Sequence, residues 1–191
     1  METLEVLEKY SKNTTHAFEV KRLALLIFDN LTEYFDIFSE KDRLYLECAS
    51  LLHDIGYYIN STDHHKHSQR WILENNIERF SQQEKEIISC IARYHRGSLP
   101  DKAKHDVYCN LDKNERKTVK RLAGILKIAD SLDSDRMMLI KDININYDEP
   151  NNIVEIVLTP NNSDFYPEIN YSKRDLLELA LEAQIVFKFF D

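Results

Sequence analysis

A chain of 191 residues with 43% apolar and 30% charged side chains has the balance of a folded unit with one sizeable core, not that of a disordered segment. Its formal charge of -8 excludes a broad positive surface, so non-specific nucleic-acid binding and attachment to an anionic membrane are not expected, and an anionic ligand needs a local basic pocket. Three glycines and the lack of any G-x-x-x-x-G-K-[ST] or G-x-G-x-x-G string exclude Gly-rich phosphate loops. Cys48, Cys90 and Cys109 include no C-x-x-C, which argues against both a disulfide framework and a thiolate zinc site. The acidic Met-Glu-Thr-Leu-Glu start and the lack of a run of ~18 apolar residues lead to the expectation of a cytoplasmic protein.

Apolar residues at Ala17, Val20, Leu23, Ala24, Ile27, Phe28 and Leu31 predict an amphipathic helix over about 16–34, with His16 on its stripe. A second helix is expected after Ser39, with Asp42 three residues on, running to Gly56 and carrying His53 and Asp54 in its last turn. A shorter helix follows from Asp63, read as its N-cap, to Asn76. Ser81-Gln-Gln-Glu84 is a capping-box pattern opening a helix with Ile87, Ile88, Ile91, Ala92 and His95 on one side. After Gly97 and Pro100 a further helix is predicted from about Asn114, with Val119, Leu122, Ala123, Leu126 and Ala129 inward. Beyond Lys141, Ile143–Tyr147 and Ile153–Leu158 predict a β-hairpin, and a last helix is expected over about Lys173 to Lys188. The fold class is therefore mostly α. Residues 1–140 form a helical bundle, and 141–191 a small β-hairpin-plus-helix appendage packed on it.

Asp130 lies on the stripe Val119, Ala123, Leu126, where periodicity calls for an apolar side chain. A carboxylate there needs a hydrogen bond, an ion pair such as one to Arg136, or a metal. His16 and His95 sit at the edges of apolar stripes, and each alone is more often a hydrogen-bonded core histidine. Several helices nevertheless each place one His or Asp inward, and imidazole plus carboxylate suits a divalent cation.

The order His16, then His53-Asp54, then Asp130 within Lys127-Ile-Ala-Asp-Ser-Leu-Asp133 resembles the H...HD...D signature of the HD-domain phosphohydrolase superfamily. Leu51-Leu-His-Asp-Ile-Gly-Tyr57, His64-His-Lys-His-Ser68, Ile91-Ala-Arg-Tyr-His-Arg96 and Leu122-Ala-Gly-Ile-Leu-Lys-Ile-Ala-Asp130 resemble the C-terminal half of the exopolyphosphatase and guanosine pentaphosphate phosphohydrolase (Ppx/GppA) family. The resemblance implies a metal-binding HD bundle, with His16, His53, Asp54 and Asp130 holding a divalent ion. By position a second ion would draw on His67 and His95. His64 and His65 are read as solvated or capping side chains, and His105 is set aside.

The activity implied is metal-dependent hydrolysis of a nucleotide, polyphosphate or other phosphate ester or anhydride, with Asp54 or Asp130 orienting the nucleophile. Lys66, Arg93 and Arg96 are the candidate phosphate-binding cations, while Arg70 is read as solvated. The mixed N/O donors accept Mn, Fe, Zn, Ni or Mg, as one ion or two. Full-length exopolyphosphatases perform hydrolysis in an actin-like domain pair that has no counterpart in these 191 residues. The resemblance thus also implies an alternative: a non-catalytic polyphosphate- or alarmone-binding regulatory module acting with a separate actin-like phosphatase. A homodimer is compatible with either.

Overall fold

The computed structural model describes residues 2–11, 13–162 and 167–190. Four of its longer helices begin where side chains satisfy free backbone N–H groups. Helix α2 (Thr14–Leu31) opens on Asn13, whose Oδ1 accepts from the His16 amide. Helix α3 (Glu40–Leu52) opens on a reciprocal Ser39/Asp42 capping box, and α5 (Gln82–Arg93) on Ser81/Glu84. Helix α7 (Lys113–Leu132) is capped by Asp112, whose carboxylate takes the amides of Asn114 and Glu115. In α4 (His64–Glu74), Asp63 holds the N-cap position with a left-handed backbone, φ 56°, and its side chain makes no cap bond. It pairs instead with Lys66 at 2.9 Å, so the expected N-cap position holds and its side-chain cap bond does not. Two short helices, α1 (Thr3–Tyr10) and α6 (Asp106–Asn110), complete the helical part.

The capping box of α5 also ties that helix to α3. Glu84 accepts from the Ser81 amide at 2.8 Å, from Tyr45 at 3.1 Å and from Lys41 at 2.9 Å. The Ser81 backbone bond first, then Lys41, hold its carboxyl down at about 2 from an ordinary 4.5. The unfolded chain therefore binds the extra proton between these values, and the stabilisation is complete above about 4.5 and lost as pH falls toward 2. Glu84→Gln is expected to cost about 1 kcal/mol at neutral pH, with the gap to the parent closing at pH 3 in paired urea titrations.

Helix α7 runs through the middle, touching α2, α3, α5 and α8 (Asp175–Leu181). Its Val119, Leu122, Ala123, Leu126 and Ala129 are buried in the same apolar core as the α2 stripe. Strands β1 (Ile140–Asp148) and β2 (Ile153–Pro160) form the expected hairpin, with Ile145 opposite Ile156. The hairpin is fastened to α2 by Asn30, which donates to the Ile143 carbonyl at 3.2 Å, and by Arg22, which reaches the carbonyls of Ile140 and Lys141.

The last predicted helix is shorter than expected. After a 3-10 turn over Tyr171–Arg174, α8 stops at Leu181, Glu182 turns left-handed at φ 56°, and Gln184–Phe189 forms strand β3 parallel to β2. Ile-Val-Phe-Lys-Phe is β-branched and aromatic, and the open edge of β2 offers the ladder that a further helical turn would forgo. The sheet order is β1-β2-β3. Helix α8 docks where Gly124 of α7 leaves room for the Leu177 backbone, and Lys127 binds Asp175 at 2.6 Å. Among the described residues, no helix is long and apolar enough to cross a membrane.

Candidate metal centre

Five segments deliver one cluster. His16 stands in the first turn of α2, His53 ends α3 with Asp54 next, His64 opens α4, His95 follows the end of α5, and Asp130 lies in the last turn of α7. In each histidine Nδ1 meets an oxygen acceptor. For His53, His64 and His95 this is the carbonyl three residues back, of Ser50, Ser61 and Ala92, at 2.7, 3.2 and 2.6 Å. For His16 it is Asp133 Oδ2 at 2.7 Å. An oxygen of this kind can only accept, so Nδ1 carries the hydrogen, and in the neutral imidazole Nε2 keeps its lone pair turned into the cluster.

The Nε2 atoms converge on two carboxylates. His16 and His53 lie 3.4 and 3.5 Å from Asp130 Oδ1. His64 and His95 lie 3.2 and 3.8 Å from Asp54 Oδ1. Asp54 also looks toward the first group, with Oδ2 3.9 Å from His16 and Oδ1 3.6 Å from His53. The donors fall into two sets, His16–His53–Asp130 and Asp54–His64–His95, and within each set they lie within 4.8 Å of one another. His53 Nε2 is wholly buried and has no hydrogen-bond partner. An orphaned lone pair at 0% exposure is costly unless a cation or proton meets it.

The electrostatics agree. Burial opposes ionisation of Asp130, but the His16 and His53 imidazoles beside it outweigh that and hold the carboxyl well below the usual range. Asp54 is likewise held low against burial, by His53 and His64. Burial, with His53 nearby, pushes His95 down to about 3, leaving its ring neutral and free to donate a lone pair. His16 goes the other way: burial lowers it, but the carboxylates of Asp130 and Asp133 beside it win and raise it to about 9. Protons and a divalent cation would compete for that nitrogen. The donor set of imidazoles and carboxylates, each imidazole already oriented through its far nitrogen, fits a divalent metal.

The structure thus brings His16, His53, Asp54, Asp130 and His95 together, and adds His64 in place of His67. His64 is 2% exposed, not solvated. The reason lies in α4: residues 64, 68, 71 and 72 form its buried face, and His67 falls off that face, half-buried. That stripe was present in the sequence and could have singled out His64. His65 is also buried, against Gly97.

Around the cluster is a cavity of about 210 Å³ lined by Tyr57, Arg96, Ser134, Arg136 and Lys173 together with His16, Asp54, His64, His95 and Asp130. Of the cations expected there, Arg96 is present. Lys66 is exposed and paired with Asp63, and Arg93 reaches Gln69 at 3.3 Å, so neither of these lines the cavity. Arg136 and Lys173 were missed. Arg136 sits left-handed at φ 60° with Nη2 4.0 Å from Asp54 Oδ2, and Lys173 comes from the turn before α8. Tyr57 stacks on His64, with ring centroids 3.9 Å apart.

A family model described as Ppx/GppA phosphatase, domain III, matches residues 2–183. The chain belongs to that family. In this domain III chain the match takes in every residue of the cluster and the whole crossover to α8.

Asp133 tests the geometry of the domain III cluster without touching it directly. Its Oδ2 holds His16 Nδ1 and its Oδ1 accepts from the Met138 amide at 2.9 Å. Asp133→Asn keeps an oxygen for Met138 but offers an amide to His16, favouring the tautomer that protonates Nε2. Metal titration is expected to show affinity reduced roughly 10–100-fold, the usual cost of losing such a supporting partner. Unchanged affinity would remove His16 Nε2 from the ligand set.

Proposed function

We propose that this chain is a metal-dependent phosphohydrolase of the HD type, acting on a phosphate ester or anhydride, with a nucleotide or phosphoanhydride ranked first. The observation that carries the reading is the convergence of four Nδ1-anchored histidines, through Nε2, on Asp54 and Asp130 beneath a basic cavity. His16, His53 and Asp130 would hold one ion, and His64 and His95 a second, with Asp54 between them. A bound divalent ion supplies Lewis acidity toward a phosphoryl oxygen and acidifies water. Arg96, Arg136 and Lys173 neutralise the phosphate oxygens, which matters because phosphoryl transfer rests on positioning and charge. Asp54 or Asp130 orients the attacking water by accepting its hydrogen.

The family description, a third domain of a phosphatase, favours a second reading, in which the chain binds its phosphate ligand for a separate actin-like phosphatase subunit. Elemental analysis of the purified protein together with a phosphate-release panel separates the two. Stoichiometric metal with turnover supports the enzyme. Metal and ligand binding without turnover supports the module, and lack of both metal and ligand binding removes both readings.

A further inference from the structure

Two further cavities share lining residues with the one over the cluster. Ser134 lines both it and a larger cavity of about 540 Å³ walled by Glu168, Ile169, Asn170, Tyr171 and Ser172. Asp54, Tyr57 and Arg136 also line a small one of about 140 Å³ that ends at Ser11 and Asn13. Arg136 lines both the central cavity and the small one. Arg96, Arg136 and Lys173 gather in the central cavity, and among the described residues the larger flank contributes no cation and one carboxylate, Glu168. A linear polyanion binds through cations spaced along its path, and among the described residues the lining of the larger flank provides none.

The larger flank offers a different kind of contact. Tyr171 is 56% exposed yet braced, with the Arg174 guanidinium over its ring at 5.6 Å and the Phe187 ring against it at 6.1 Å. A fixed, exposed aromatic ring favours stacking with a flat heterocycle. Only this flank has the several hundred Å³ of an organic ligand subsite; the small flank is sized for a few polar atoms.

We propose that the site takes a nucleoside monophosphate, with its phosphate among Arg96, Arg136 and Lys173 and its base on Tyr171, and that Glu168 turns away a polyphosphate chain. This rests on the proposed function only in seating the phosphate at the metal cluster.

The test is equilibrium binding to the full chain in excess manganese(II), using a purine nucleoside monophosphate, inorganic phosphate, tripolyphosphate and long-chain polyphosphate, with phosphate release measured in parallel. The nucleotide is expected to bind at least ~10-fold more tightly than inorganic phosphate. Tyr171→Ala should lose about 10-fold for the nucleotide and nothing for inorganic phosphate, and Tyr171→Phe should restore it. Glu168→Lys should raise tripolyphosphate affinity. Tighter binding of polyphosphate than of the nucleotide, or indifference of the nucleotide to Tyr171→Ala, overturns the assignment. Binding in the expected order without hydrolysis leaves the assignment standing and removes the catalytic reading. Fastest phosphate release from polyphosphate does the reverse.

Discussion

Asp54→Ala is expected to lower phosphate release by about 100-fold or more, the scale on which a positioned charge acts in a transition state, and to reduce the metal carried per chain. Asp54 faces both donor sets: Oδ1 lies within 3.8 Å of the Nε2 atoms of His53, His64 and His95, and Oδ2 3.9 Å from that of His16. Only Asp130 would remain to offset a divalent charge among four imidazoles. The helices should survive, because the Asp54 side chain lies outside the apolar core and no cap depends on it. Circular dichroism should therefore match the parent while metal analysis and turnover do not. Arg70→Ala is the matched control, since Arg70 is exposed and occupied with Glu74 on its own helix. Full turnover by the Asp54 variant would place the hydrolysis outside this cluster.

Much of this arrangement was legible in the sequence because it is written locally. Ser39 with Asp42 and Ser81 with Glu84 announce helix starts within four residues, and the stripe of α7 makes Asp130 conspicuous by its polarity. What escaped depends on distant partners. Strand β3 has a helix-compatible spacing and becomes a strand only because the edge of β2 lies free beside it. Arg136 and Lys173 reach the cavity from two loops 37 residues apart in the chain, and no local pattern marks either. His64 was misjudged for a different reason: a run of three histidines within four positions looks solvated until the buried face of α4 is known.

That face also sets the second large effect, on Gly56. A Cβ built there would stand 2.0 Å from the His64 carbonyl oxygen and 2.6 Å from the Ser68 amide nitrogen, both backbone atoms that have no rotamer in which to yield. The same contact is fastened by Ser68, which accepts from the Gly56 amide at 2.9 Å and donates to the His53 carbonyl at 2.6 Å. One buried hydroxyl thus joins the end of α3 to the start of α4, and with them His53 to His64. Gly56→Ala must push α4 away, at about 3 kcal/mol for an overpacked site that cannot relax through side chains, and His64 moves with it. The expected result is a lower melting temperature together with loss of metal from the Asp54–His64–His95 set. Gly124→Ala separates the two effects: its Cβ would meet the Leu177 backbone at 2.7 Å, which loosens α8 and lowers stability but displaces no imidazole. If both variants lose stability and only Gly56→Ala loses metal, the close approach of α4 to the turn after Asp54 is what keeps His64 in the centre. If both keep their metal, His64 is not a ligand.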